Sequence, residues 1–278
     1  MDILYVIGNR LSDWYNNELR YSLRCLERNG VNVGRVFVAG YKPPFLNEKE
    51  VVYIPCKDIT NVKHYNIQNC IDYAVKHSDI GESNGGEFLY SSDDHFYIQK
   101  TDFAAYPYYW RGVMLPTKAN NDYHRTLLST RELLSLCKLP TLHLAWHGNT
   151  HFNARVWRSD EFQLMLRFAL TMPEGCEPTC LMLNYMLGNG MLEMGQFMQR
   201  EDCKFGAGVT DVDMFGGVLR ARWLYWVNSH WTDGGGCKDY RTDDLERRMI
   251  NMLIAKYPRY IRKVSNKASR YTIKLHFD

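Results

Sequence analysis

Two adjacent carboxylates at the end of an apolar run carry the clearest chemical signal in this chain of 278 residues. In Glu87-Phe-Leu-Tyr-Ser-Ser-Asp-Asp-His-Phe-Tyr-Ile98, an apolar and aromatic run enters Ser91-Ser92-Asp93-Asp94-His95 and a second one, Phe96-Tyr97-Ile98, leaves it. Carboxylates held side by side repel each other and lose solvation, so they need a cation or a donor network to stay ionised. Hard oxygen ligands of this kind suit Mg²⁺ or Mn²⁺, with a substrate's phosphates completing the shell. A buried strand ending here would set that charge at the carboxyl edge of a sheet, where open α/β sheets bind ligands. The same residues also read as an Asp-rich turn after a strand, a common arrangement.

Other residues could join such a site. His143, His147 and His151 fall within nine residues, and His151 is the preferred base or metal partner, since an imidazole accepts a proton near neutral pH. Any one of the three alone is more often structural. Arg20 and Arg24 lie one helical turn apart and could clamp phosphate oxygens, or form a solvated stripe. Gly8-Asn9-Arg10 ends the apolar run Asp2–Ile7 where a nucleoside could be received, although it is neither GxGxxG nor a Walker loop. Asp233, beside Gly234-Gly-Gly236, could orient an acceptor hydroxyl, or simply make a turn. From Lys256 to Lys274 there are seven basic residues, Arg259, Arg262, Lys263, Lys267 and Arg270 among them, with no acidic one and with Tyr257, Tyr260 and Tyr271 interleaved. That pattern suits a phosphate backbone and unstacked bases, or a solubilising tail.

The elements that must position these groups follow from the pattern of apolar residues. Asp2–Ile7, Gly34–Gly40, Val51–Pro55 and the run from Glu87 read as buried strands, and Asn16–Arg28 and Asn66–His77 read as helices. Strand, helix, strand, strand, helix, strand with short connections predicts an α/β fold with a mainly parallel central sheet. The later chain reads as an irregular loop over Arg111–Tyr123, then helices at Thr126–Cys137, Asp160–Thr171, Cys180–Gly188 and Asp243–Tyr257, with a strand in Ala221–His230. The expected division is a ligand-binding half (1–112), a second half of the same compact domain (113–255) and a basic segment (256–278).

Composition allows a sizeable core, with 45% hydrophobic and 23% charged residues. The 19 tyrosines suit either a polar-organic ligand site or core and rim packing. A net charge of +3 does not by itself imply a nucleic-acid partner. The eight scattered cysteines read as reduced thiols of a cytoplasmic protein, with a zinc alternative from Cys176, Cys180, Cys203 and Cys237. No segment approaches the length of a membrane span.

Asn17-Glu-Leu-Arg-Tyr-Ser-Leu-Arg24, then Gly34–Gly40, Pro43-Pro-Phe-Leu-Asn47 and Phe88-Leu-Tyr-Ser-Ser-Asp-Asp-His-Phe96, resembles the central region of the Stealth family. It is similar too to small phage and gut-bacterial glycosyltransferase-like proteins that share this core. The expected Asn before the acidic pair is Ser92, and the DGSD opening of full Stealth proteins is missing. The resemblance implies a GT-A-like nucleotide-sugar fold, with a Mn²⁺ or Mg²⁺ ion on Asp93 and Asp94 and His151 as a further contact. It implies a glycosyltransferase using a nucleotide-sugar donor, UDP-sugars favoured, and a hydroxyl acceptor. For a phage-type enzyme that acceptor could be a hydroxylated base in DNA, gripped by the basic segment. Sugar-1-phosphate transfer of Stealth type and non-catalytic nucleic-acid binding are the alternatives.

Overall fold

The computed structural model describes residues 1–8, 16–93, 95–97, 100–114, 121–144, 150–199, 204–205, 226–228 and 259–260. Strand β1 (Asp2–Ile7) is apolar throughout because both its faces are covered. Ile3, Tyr5 and Ile7 point to one side, while Leu4 points to the other. Helix α1 (Asn17–Asn29) buries Leu19, Leu23 and Leu26 on the first side and stops at Gly30. The short β2 (Gly30–Val31) leads to β3 (Val36–Gly40) and, through a Pro-containing loop, to β4 (Val51–Pro55). Helix α2 (Lys63–His77) buries Cys70, Ile71, Ala74 and Val75 on the second side of the sheet. The chain then enters β5 (Glu87–Ser91).

Next come β6 (His95–Tyr97), β7 (Thr101–Asp102) and β8 (Tyr108–Val113), so part of the expected Arg111–Tyr123 loop is strand. Helix α3 (Asp122–Leu136) and β9 (Leu142–Leu144) come after it, then β10 (Thr150–Asn153), α4 (Ala154–Arg158), α5 (Asp160–Ala169) and α6 (Pro178–Gly188). Three short strands complete the described elements: β11 (Phe197–Gln199), β12 (Lys204–Phe205) and β13 (Trp226–Asn228).

The main sheet has the order β10-β5-β1-β3-β4, parallel except for β10, which runs antiparallel to β5. The fold is therefore α/β with a mainly parallel central sheet, as the pattern of apolar residues predicts. The histidine-bearing segment at 150–153 supplies an edge strand to it, so the later half of the chain completes the sheet of the earlier half. Helices α3 to α6 join α2 in the larger core cluster, around Trp157, Phe162 and Leu181. Tyr260 packs into the cluster on the α1 side. Among the described residues no helix is long and apolar enough to cross a membrane.

Candidate functional site

Strand order decides where a ligand can enter. From β1 the chain steps outward to β3 and β4 on one side, then returns to β5 on the other. The loops leaving β1 and β5 at their carboxyl ends therefore part company, and such a reversal leaves a crevice. A cleft of about 730 Å³ lies there, walled by Ile7 and Gly8 at the end of β1, by Ser92 and Asp93 after β5, and by Asp58, Thr60 and Asn61 between β4 and α2 with Lys63 and Asn66 from the first turn of α2.

The third wall is fixed by one side chain. Asn66, in the first turn of α2, accepts from the Ile59 and Thr60 N–H groups at 2.9 and 3.1 Å and donates to the Thr60 carbonyl at 2.9 Å. Lys63 opens the helix and brings a cation into the cleft. A Cβ placed on Gly8 would stand 3.9 Å from Asp58 Oδ2, so the β1 terminus and the Asp58 carboxylate face each other closely.

The Asp93 turn is held from the other side of the sheet by α1. Ser22 Oγ lies 3.1 Å from the Tyr5 hydroxyl and donates to the His95 carbonyl. A serine has one proton and a carbonyl can only accept, so Tyr5 donates to Ser22. Further along the helix, Asn29 donates to the Tyr97 carbonyl at 2.6 Å, and the Tyr97 hydroxyl reaches Ser91 Oγ at 3.2 Å. Tyr5, Ser22, Ser91 and Tyr97 are all buried. Burial pushes both tyrosine hydroxyls above their ordinary range, so they stay protonated as donors.

Of the residues singled out by sequence, the cleft brings together Gly8 and Asp93. Asp94, Asn9, Arg10, His147, Asp233, Arg262, Lys263, Lys267 and Arg270 lie outside the described residues. Arg20 and Arg24 sit on α1 and are not among the residues walling the cleft. The Arg20 guanidinium is 5.8 Å from the centre of the Phe45 ring. Burial, then the like charge of Arg20, pull Arg24 down to about 10, which leaves it charged at neutral pH.

His151 lies on β10 opposite Leu89, away from Asp93. Its Nε2–H donates to the Tyr106 carbonyl at 2.5 Å, its ring stacks on Tyr108 at 4.4 Å, and burial lowers its affinity for a proton. It walls a second cleft instead. His143 is buried on β9, with Nε2 at 3.1 Å from the Tyr123 hydroxyl. Arg259 docks on α1: its backbone N–H donates to the Glu27 carboxylate, and its guanidinium lies 4.6 Å from the Tyr260 ring centre. Cys176 and Cys180 are buried free thiols, and Cys203 and Cys237 are outside the described residues.

Spacing gave no warning of Asp58, Lys63, Asn66, Ser22 or Asn29. The one available signal was Asp58-Ile-Thr-Asn61 before a helix, a loop rich in groups that bond their own backbone.

Among the described residues no three His, Cys, Asp or Glu side chains converge on a metal position. Asp93 and Asp58 nevertheless place two carboxylates in one cleft, a donor set that fits a hard divalent cation sharing its shell with phosphates and water.

Neither a known protein family nor a curated protein sequence matches the chain. Similar solved structures are glycosyltransferases. The galactosyltransferase LgtC, solved with donor and acceptor sugar analogs, is 12% identical with a TM-score of 0.46, over 92% of this chain and 97% of that one. A glycosyltransferase involved in glycosylation of the major capsid of PBCV-1 is 9% identical with a TM-score of 0.38, over 82% and 91%. Mouse xyloside xylosyltransferase 1 is 12% identical with a TM-score of 0.38, over 82% and 97%. Likeness at this level transfers no residue roles.

Proposed function

We propose that the chain is a metal-dependent glycosyltransferase that moves a sugar from a nucleotide-sugar donor, a UDP-sugar by preference, to a hydroxyl acceptor. One observation carries the reading: the cleft at the sheet's point of reversal sets Asp93 from β5 against Gly8 from β1, with Asp58 and Lys63 beside them. Its volume falls within the roughly 300–1,000 Å³ typical of small-molecule sites. Gly8 lets a ligand approach the backbone, Lys63 offers a cation to a phosphate, and Asp93 with Asp58 and the neighbouring Asp94 would hold Mn²⁺ or Mg²⁺. When bound, such an ion neutralises charge that develops on a departing nucleoside diphosphate. The chain's own part is to fix the Asp93 turn from α1 and the 58–62 loop from Asn66, so that the carboxylates are in place before the donor arrives.

In the transfer, the acceptor oxygen bonds the anomeric carbon while the bond from that carbon to the diphosphate oxygen breaks. The hydroxyl proton passes to a general base, with Asp233 the sequence candidate for orienting that hydroxyl. A hydroxylated DNA base is the proposed acceptor, supported by the basic residues of the 256–274 sequence, of which Arg259 docks on α1.

Calorimetric titration of UDP with and without Mn²⁺, on the parent chain, Asp93→Ala and Asp94→Ala, tests the donor site. Metal-dependent binding lost in Asp93→Ala is expected. No binding of UDP, GDP or CDP under either condition would sink the proposal. In turnover, release of nucleoside diphosphate marks sugar transfer, whereas release of the monophosphate marks sugar-phosphate transfer.

A further inference from the structure

Two thiols bound the third wall of the donor cleft. Cys56 follows Pro55, the last residue of β4, and Cys70 lies about two turns into α2. Asp58, Thr60, Asn61, Lys63 and Asn66, which form that wall, all fall between them. The two cysteine side chains are hydrogen-bonded to each other, and both belong to the larger core cluster. Asn69, the neighbour of Cys70, donates to Cys56 Sγ at 3.4 Å and to the Lys57 carbonyl at 3.3 Å. This turn of α2 is thus laid against the end of β4, and the sulfurs meet.

Other described cysteines lack such a contact. Cys180 Sγ donates to the Leu144 carbonyl at 3.2 Å, and among the described residues no other two thiols bond each other. Nor does a third His, Cys, Asp or Glu side chain complete a metal position with Cys56 and Cys70. The chemistry open to two thiols in contact is oxidation. Cys56 is the more accessible, 7% exposed against 1% for Cys70, and it sits beside a surface loop whose Ile59 is 57% exposed. Passing from hydrogen-bonding contact to a bond needs the sulfurs to close by about 2 Å, within reach of small side-chain rotations.

We propose that Cys56 and Cys70 are a redox staple, joined by peroxide into a disulfide that ties the third wall of the donor cleft across its base. In the first step the Cys56 sulfur attacks hydrogen peroxide. The S–O bond forms, the O–O bond breaks, and the departing hydroxide takes the thiol proton as water, leaving a sulfenic acid. Cys70 then attacks the Cys56 sulfur, and the hydroxyl leaves with the Cys70 proton as a second water. Glutathione or a dithiol reverses the bond by exchange, becoming a disulfide itself. The staple adds a covalent tie to a loop otherwise held by the hydrogen bonds of Asn66 and Asn69. It would keep Asp58 and Lys63 in place, a consequence that rests on the reading of this cleft as the donor site.

In the test, the parent chain is treated with hydrogen peroxide, remaining thiols are alkylated, and tryptic peptides are mapped. Residues 50–57 and 64–76 should appear as one species, lighter than the two peptides together by the thiol hydrogens and separated by dithiothreitol. In Cys70→Ser the link is lost, and dimedone labels Cys56 instead. Amide exchange at Ile59 and Thr60, whose N–H groups Asn66 accepts, should slow by about 10-fold or more in the linked chain. UDP with Mn²⁺ should bind the linked chain about 3-fold more tightly, since its wall is already in place. No link in the parent, a link from Cys56 or Cys70 to another cysteine, or unchanged exchange overturns the staple, whatever UDP does. If the link forms and exchange slows but UDP binds neither form, the staple stands and the donor reading fails. Equal UDP affinity in both forms overturns the control of that cleft.

Discussion

Ser22→Ala tests whether α1 sets the position of the Asp93 turn. The substitution removes the donor to the His95 carbonyl and the acceptor for Tyr5, both buried, and it leaves only a hydroxyl-sized void. Tyr5 keeps Ser91 as a partner, so the bond lost to the His95 carbonyl is the main cost, about 0.5–1.5 kcal/mol. Urea unfolding should show that loss as a lower midpoint at an unchanged slope. Because the bond joins α1 to the turn rather than to the rest of the sheet, the loss should also appear as local opening. Amide exchange at His95 and Tyr97 should quicken, and the affinity for UDP with Mn²⁺ should fall. About 1 kcal/mol taken wholly from the binding-competent turn corresponds to a ceiling of about 5-fold in affinity. A double-mutant cycle with Tyr5→Phe isolates the shared bond, with a coupling of about 0.5–1.5 kcal/mol. Lower stability with unchanged exchange at 95–97 and unchanged affinity would refute the positioning role and leave Ser22 as ordinary core.

Gly40 sits at φ +113° at the end of β3, and a Cβ there would come within 1.8 Å of the Ile7 carbonyl oxygen at the root of the donor cleft. Gly40→Ala should therefore cost more than the ~1–3 kcal/mol of a strained residue alone, read as a drop in the urea midpoint. Asn184, fully buried on α6, accepts from the Leu142 N–H at 2.9 Å and donates to the Leu142 carbonyl at 2.8 Å. Asn184→Leu strands both groups of β9 and should lose about 2–5 kcal/mol by the same assay, whereas a loss under ~1 kcal/mol would refute the clamp. His64 is held down to about 4 against an ordinary 6.5 by burial, and then by the nearby Lys63 charge. The unfolded chain binds the extra proton first, so stability is whole above about pH 6.5 and falls as pH drops towards 4, by something on the order of 3 kcal/mol. His64→Gln should flatten that stretch of a stability–pH curve, leaving the contribution of His151, which burial shifts in the same direction, and an unchanged slope would refute the assignment.

What could be read from the sequence was whatever burial writes into it. β1 and β4 appear at their expected bounds, because a strand covered on both faces is apolar from end to end. Helices α2 and α3 each begin about one turn before the expected start. Apolar spacing marks only where a helix meets the core, while the polar first turn is announced by its cap, here Asn121 accepting from the His124 N–H. Strand β10 was not legible at all. Its four residues owe their conformation to the open edge of β5, which no local pattern reveals. His151 shows the same limit in the site: the residue type suits proton transfer, and only the pairing with β5 shows that it faces the other cleft.

The donor cleft itself depends on strand order. Gly8 and Asp93 are far apart in sequence and meet because β5 returns to the free side of β1 instead of continuing past β4. Had the chain added β5 beyond β4, every local pattern would be unchanged and the Asp93 turn would sit at a sheet edge, well away from Gly8. The return also places the starts of β1 and β5 side by side, which is why Met1 and Glu87 share a wall of the second cleft. One topological choice thus produces both cavities, with Asp93 and Lys63 at one end of the sheet and the acceptors Glu87 and His151 at the other. Charge distinguishes the two: carboxylates joined by a lysine wall the donor cleft, whereas among the described residues Glu87 is the one acidic side chain walling the other and no Arg or Lys joins it.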